Sequence, residues 1–139
     1  MNKIVLDTDI LSEILKGRNA LVADKAKKYY EFYDTYTITT ISVMEIVKGY
    51  HKVKREANIQ KFLSVLPGLE ILTLNNKGSE LAGRIYAELE RSGQPIGRAD
   101  PMVAGIALAN SLHLCTGNTK HYQRIQNLGF DLALENWRE

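Results

Sequence analysis

The sequence contains few of the features that mark secreted, membrane-spanning or disulfide-stabilised proteins. Only one of its 139 residues, Cys115, is a cysteine, which excludes an internal disulfide framework and a cysteine-based zinc site. No run of about eighteen apolar residues occurs, so no transmembrane helix is predicted. The apolar run near the N-terminus ends at Asp7, which is not typical of a signal peptide. We therefore expect a cytoplasmic protein with no membrane partner.

Net charge and histidine are also scarce. Eighteen Lys and Arg residues against sixteen Asp and Glu give a formal charge of +2, which alone indicates no nucleic-acid partner. The three histidines, His51, His113 and His121, are scattered, which disfavours a histidine-rich zinc site. The 45% of hydrophobic and 24% of charged residues are ordinary for a globular protein. We expect one domain over residues 1–139.

Short apolar or β-branched runs alternate with stretches of helical periodicity along the chain. Strands are predicted at 3–6, 36–40, 69–74, 113–116 and 132–134, and helices at 10–16, 19–33, 42–55, 59–66, 79–91 and 101–110. This alternation predicts α/β layers with a mainly parallel sheet. Ligands bind such sheets at the carboxyl ends of the strands, where we look for functional side chains.

Three acidic residues stand at the ends of predicted elements. Asp7 follows the first strand, Glu45 lies three residues after Ser42 at the start of a helix, and Asp100 precedes a proline. Taken singly, each has a structural explanation: a helix N-cap for Asp7 and Asp100, and a capping box for Ser42 and Glu45. Taken together, they gather at one sheet edge, where mutual repulsion raises carboxyl pKa values and a divalent cation relieves it. Hard oxygen ligands suit Mg²⁺ or Mn²⁺, which can polarise a phosphodiester.

Several segments, in this order and spacing, resemble the PIN domain family and within it the VapC-type toxins of toxin–antitoxin pairs. The matching segments are 6–12 (LDTDILS), 42–49 (SVMEIVKG), 95–100 (PIGRAD), 116–122 (TGNTKHY) and 134–137 (LENW). They cover essentially the whole chain. The resemblance implies a three-layer α/β/α sandwich. It also implies a metal-dependent endoribonuclease that cleaves structured RNA such as tRNA and so inhibits translation.

The resemblance places the catalytic acids at Asp7, Glu45 and Asp100, with Mg²⁺ or Mn²⁺ as the cofactor. Asp7 and Asp100 would bind the metal directly. Glu45 would coordinate it through water or help to deprotonate the attacking water. Hydrolysis of this kind leaves a 5′-phosphate.

Four further residues belong to the expected site. Asn118 stands where the family often has a fourth acid, and with Thr116 it would position water or the scissile phosphate. Thr8 is a weaker candidate for hydrogen bonding at the same edge. Asp9 stands where Asn or Ser is more usual, and helix capping is favoured over a charge contribution to the site.

The expected partners follow from the same resemblance. Arg98 and Lys120, each two residues from a site residue, are candidates for contacts with RNA phosphates. A VapB-type antitoxin would neutralise the toxin and would carry the contact with operator DNA. The family also implies a homodimer.

Two alternatives stay open. Asn118 in place of an acid is compatible with a non-catalytic binding module on the same fold. The sequence Asp7-Thr8-Asp9 after a strand also resembles haloacid-dehalogenase-type phosphatases, with Asp7 as nucleophile and Asp9 as acid. That family needs a paired-acid motif late in the chain, and no adjacent acidic pair follows Asp100.

Overall fold

The computed structural model describes residues 1–95, 97 and 99–139. Its strands are β1 (Ile4–Leu6), β2 (Thr37–Thr39), β3 (Glu70–Leu72), β4 (His113–Cys115) and β5 (Leu134–Glu135). Strands β1, β4 and β5 form a parallel sheet in the order β1-β4-β5, and β2 pairs in parallel with β3. Strand β2 lies beside β1. The predicted parallel arrangement is therefore confirmed.

Helices connect these strands. They are α1 (Thr8–Lys16), α2 (Ala20–Tyr33), α3 (Thr40–Lys52), α4 (Glu56–Val65), α5 (Asn76–Arg91), α6 (Asp100–Ala109) and α7 (Thr119–Asn127), with a 3₁₀ turn at Leu66–Gly68. Gly17 ends α1 in the left-handed conformation that glycine adopts without steric cost. In the described part of the chain, no helix is long and apolar enough to cross a membrane.

The helices cover both faces of the sheet. Ile4 and Leu6 of β1 belong to a buried core that also contains residues of α1 to α4. Val5, which points to the opposite face, belongs to a second core with residues of α5, α6 and α7. Two cores separated by one strand layer confirm the expected α/β/α sandwich.

Close packing of α6 depends on its small residues. A Cβ on Gly105 would lie 2.5 Å from the carbonyl oxygen of Gly78 and 3.1 Å from the backbone nitrogen of Ala82, both in α5. Ala104 and Ala107 of α6 are fully buried in the same core as Val5. The small residues therefore bring α6 close to its neighbours, and the tight approach at Gly105 is to α5.

The predicted capping box at Ser42 is wrong. Helix α3 begins two residues earlier, at Thr40, and its N-cap is Thr39, whose hydroxyl accepts a hydrogen bond from the Ser42 backbone nitrogen at 3.2 Å. Ser42 therefore lies inside the first turn, where its side chain is fully buried. Its hydroxyl is used for a tertiary contact instead.

Two other local interpretations also differ from the structure. Asp100 is the first residue of α6, the N-cap is Ala99, and no side chain caps this helix. Helix α7 was not predicted because it is strongly polar and buries only two residues, Tyr122 and Ile125. A face with so few apolar side chains gives a weak periodic signal.

Candidate active site

Asp7 lies at the carboxyl end of β1 and is buried, with 5% of its surface exposed. Its backbone nitrogen continues the sheet ladder by donating to the Cys115 carbonyl at 2.8 Å. Oxygen Oδ1 accepts from the Thr8 backbone nitrogen at 2.9 Å and so caps α1. Oxygen Oδ2 accepts from the hydroxyls of Thr116 at 2.9 Å and Tyr122 at 3.1 Å. The N-cap and the sheet-edge interpretations of Asp7 are thus both correct.

Burial makes ionisation of this carboxyl unfavourable. It raises the pKa of Asp7 to about 7, and the negative charges of Asp9 and, more weakly, Asp100 act in the same direction. Hydrogen bonds from Thr116 and Thr8 favour the charged form but do not compensate. Near neutral pH, Asp7 is therefore divided between its protonated and ionised forms, and a nearby cation would favour the ionised one.

Tyr122 joins the first and third predicted acids. Its hydroxyl lies 3.1 Å from Asp7 Oδ2 and 3.2 Å from Asp100 Oδ1. Burial, together with the two carboxylates, raises the pKa of Tyr122 well above its ordinary value, so the hydroxyl keeps its proton. One proton can be donated to one carboxylate at a time. Asp7 and Asp100 therefore share the Tyr122 hydroxyl as a donor. Sequence analysis did not predict Tyr122 as a site residue.

Asp100 has a second neighbour on the same helix as Tyr122. His121 Nδ1 lies 3.3 Å from Asp100 Oδ2, and about half of the imidazole surface is exposed. Residues 121 and 122 of α7 thus contact the two oxygens of one carboxylate. In the sequence His121 is only one of three scattered histidines, and the structure places it beside Asp100.

Glu45 is held by a hydrogen bond from the start of α1. The Thr8 hydroxyl donates to Glu45 Oε1 at 2.6 Å and lies 2.9 Å from the Ser42 hydroxyl. Because the Thr8 proton goes to the carboxylate, Ser42 is the donor to Thr8. Thr8, a weak candidate from sequence, is therefore the residue that links Glu45 to the end of β1.

The loop between β4 and α7 supplies the remaining predicted positions. Thr116 is buried, donates to Asp7, and accepts from the Asn118 backbone nitrogen at 3.0 Å. Asn118 is the N-cap of α7, yet its exposed side chain makes no capping bond. Lys120 is exposed in the first turn of α7. Arg98, the other predicted phosphate contact, lies outside the described residues.

Asp9 is not the N-cap of α1, contrary to the favoured interpretation, because Asp7 takes that position. Asp9 Oδ1 accepts from the Ile10 backbone nitrogen at 2.8 Å, and Oδ2 accepts from the Gly117 backbone nitrogen at 2.9 Å. The side chain therefore ties α1 to the loop that carries Thr116.

Arg138, near the C-terminus, was not anticipated. Its guanidinium lies 3.3 Å from Asp9 Oδ2 and 3.0 Å from Glu13 Oε2. It packs so closely over Gly117 that a side chain there would collide with it. Arg138 therefore neutralises Asp9 beside the site. Its distance from Asp9 along the chain left no pattern that could have identified it.

The donor set suits a hard divalent cation. Asp7 and Asp100 each place a carboxylate oxygen within 3.2 Å of the Tyr122 hydroxyl, and Glu45 is hydrogen-bonded to Thr8, the residue after Asp7. Within the described ranges, no three His, Cys, Asp or Glu side chains are already arranged to enclose a metal ion. Two carboxylates with the remaining positions left to water fit Mg²⁺, which keeps much of its hydration shell in proteins.

Comparison with known proteins decides the family. Residues 4–127 match the family model of the PIN domain. The chain belongs to the PIN domain family. Ribonuclease VapC2 of Rickettsia felis is 35% identical over 105 residues, which cover 75% of each chain. The tRNA(fMet)-specific endonuclease VapC of Shigella flexneri is 29% identical over 129 residues, covering 92% of this PIN domain and 96% of the relative.

Solved structures agree with this assignment. A DNA-bound VapBC complex from Salmonella typhimurium contains a chain that matches with a TM-score of 0.81 and 27% identity, over 99% of both chains. VapBC2 of Rickettsia felis, bound to a promoter DNA fragment, matches with a TM-score of 0.80 and 30% identity, over 96% of this PIN domain and 98% of that chain. The resemblance to VapC-type toxins is thereby confirmed. The dehalogenase-type phosphatase alternative has no support, and Asp9, its required acid, is engaged with Gly117 and Arg138.

Proposed function

We propose that this PIN domain is the metal-dependent endoribonuclease toxin of a toxin–antitoxin pair. The observation that carries the proposal is the convergence of Asp7 and Asp100 on one tyrosine hydroxyl at the carboxyl end of the sheet. Nuclease activity is also supported by the ribonuclease names of relatives that align over most of the chain.

Each residue of the site has a definable task. Asp7 and Asp100 would hold Mg²⁺ or Mn²⁺, with Tyr122 setting the orientation of both carboxylates. When bound, the cation would polarise the phosphodiester and activate a water. Glu45, oriented by Thr8, would align that water and accept its proton. Asn118, whose side chain is free of capping, would contact the scissile phosphate or a water beside it.

The proposed substrate is a structured RNA of the tRNA class. The Shigella flexneri relative is named a tRNA(fMet)-specific endonuclease, which supports this choice. Exposed Lys120 next to the site would contact a phosphate, as would Arg98. Cleavage of such an RNA would inhibit translation.

The proposed protein partner is a VapB-type antitoxin, and the toxin would act as a homodimer. VapBC complexes with DNA are among the solved structures that this chain resembles. Operator DNA would therefore be bound by the toxin–antitoxin complex, in which the antitoxin makes the DNA contacts. Co-expression should yield a stable toxin–antitoxin complex, and the free toxin should arrest growth.

The decisive experiment compares the wild-type protein, free of antitoxin, with an Asp100→Asn variant purified identically. Total RNA is incubated with each protein and Mg²⁺ or Mn²⁺, and the cleaved ends are mapped. We expect discrete 5′-phosphate ends with the wild type alone, lost on chelation. Equal cleavage by both proteins would refute the site. RNA and metal binding without cleavage would support the non-catalytic binding module instead.

A further inference from the structure

A groove of about 510 Å³ opens from the candidate site along α1 and α3. At one end it is lined by Thr8 and Glu45, which belong to the site. Lys16 also lines it, eight residues after Thr8 on the same helix. At 1.5 Å per residue, that places the two residues about 12 Å apart along the helix axis. The groove therefore leads from Glu45 to a distant end.

That distant end is basic. Lys16, Arg18 and Arg55 line the groove, and all three side chains are exposed. In the described part of the chain none of the three forms an ion pair, so their charges are not neutralised by a neighbouring carboxylate. Glu45 is the one acid among the described lining residues. The charged lining residues are therefore three cations towards the distant end and one carboxylate, Glu45, at the end beside the candidate site.

Gly49 in the groove wall has no packing explanation. It lies inside α3, one turn after Glu45, and a Cβ there would meet no atom within 4 Å. Its φ angle is not positive, so the backbone does not require glycine. Glycine inside a helix costs about 1 kcal/mol relative to alanine. Bare backbone beside the catalytic acid is instead what close approach of a ligand requires.

We propose that this groove holds the phosphate backbone of a single-stranded RNA segment adjoining the scissile bond. Lys16, Arg18 and Arg55 contact successive phosphates, and the strand passes over Gly49 to reach Glu45. The choice of RNA rests on the proposed function, because the groove is continuous with the acids assigned to phosphodiester hydrolysis. Cations spread along a line suit a polyanionic backbone better than a single anionic group.

Binding is tested without cleavage in the Asp100→Asn background. A labelled single-stranded oligoribonucleotide is titrated by fluorescence anisotropy over a salt series, with Lys16→Gln, Arg18→Gln and Arg55→Gln added singly. Each loss of a phosphate contact should reduce the slope of log Kd against log salt by about 0.7. Lys77→Gln, which removes an exposed cation of α5 on the other side of the sheet, should leave the slope unchanged.

A second pair of variants separates groove occupancy from folding. Gly49→Ala and Gly83→Ala each add a methyl group to open space within a helix, and Gly83 lies in α5, outside the groove. Both should maintain or raise the unfolding temperature. Only Gly49→Ala should weaken RNA binding. If the strand lies directly on this backbone, the Kd should rise about tenfold, which corresponds to roughly 1.4 kcal/mol.

The outcomes separate this inference from the nuclease assignment. Unchanged RNA affinity and salt slope in all groove variants would overturn the inference, even if the wild type cleaves RNA. Loss of antitoxin binding with intact RNA binding would assign the groove to the protein partner and would also overturn it. Loss of RNA binding in these variants, with no cleavage by wild-type protein, would support the groove and refute the nuclease.

Discussion

Replacing the buried Asp7 with asparagine should stabilise the metal-free protein while abolishing its activity. The folded-state pKa of about 7, against 3.8 for the free side chain, means that folding favours the protonated carboxyl. The contribution of Asp7 to stability is therefore fully present below about pH 4. It is lost as the pH rises through 7.

The size of the effect follows from the pKa difference. About 3 pKa units at 1.36 kcal/mol each give a penalty of about 4 kcal/mol once Asp7 is fully ionised. Asparagine avoids this penalty. Its single acceptor oxygen can serve either the Thr8 backbone nitrogen, as Oδ1 does, or the Thr116 and Tyr122 hydroxyls, as Oδ2 does, and the lost hydrogen bonding costs about 1–2 kcal/mol. A net gain of about 2–3 kcal/mol above pH 8 would raise the unfolding temperature by roughly 5–10 °C.

Thermal unfolding of both proteins, in chelator and from pH 5 to pH 8.5, measures this gain. We expect the unfolding temperature of the wild type to fall relative to that of Asp7→Asn as the pH rises across this range. At pH 8.5 the variant should have the higher unfolding temperature. Under the proposed metal binding, Mg²⁺ should restore wild-type stability and have no effect on the variant. A variant that is less stable than wild type at pH 8.5 would refute the reasoning, as would two parallel pH profiles.

Substitutions at three further positions test separate contacts. Tyr122→Phe removes the hydroxyl shared by Asp7 and Asp100. Initial cleavage rates should fall about 10–100-fold, while the circular dichroism spectrum stays unchanged. A rate within twofold of wild type would contradict this role of the hydroxyl. Thr8→Val should lower the cleavage rate about tenfold because it releases Glu45, and Thr8→Ser should restore the rate. Equal rates in the two variants would count against a role for the 2.6 Å hydrogen bond from Thr8 to Glu45. Gly105→Ala should cost about 1–3 kcal/mol in urea unfolding because its Cβ would collide with Gly78, and a neutral result would disprove the close approach of α5 and α6.

The parts of the fold that were predictable from sequence are those with a local periodic signal. Runs such as Ile4 to Leu6 predict buried strands, and alternation of strands with helices predicts the parallel sheet. Helix α7 has only Tyr122 and Ile125 on its buried face, so no local signal was strong enough to indicate it. That omission concealed His121 and Tyr122, whose side chains contact the Asp100 carboxylate.

The acids themselves were predictable because parallel topology brings strand ends to one edge. Their contacts were not predictable. Tyr122 is 115 residues from Asp7, and Thr8 is 37 residues from Glu45. Such hydrogen bonds depend on the relative placement of α7, α1 and α3, which is fixed by packing on two different core faces. No spacing rule along the chain encodes that placement.

Capping and a role in the site are compatible for a single carboxylate. A carboxylate has two oxygens, and Asp7 uses Oδ1 to cap α1 while Oδ2 accepts from Thr116 and Tyr122. Glu45 and Asp100 make no such cap, because Thr39 and Ala99 occupy the N-cap positions of their helices. The one acid that does cap is also the most buried of the three, and burial raises its pKa to about 7. Capping fixes one oxygen of Asp7, and this fixes the direction in which the other meets the site.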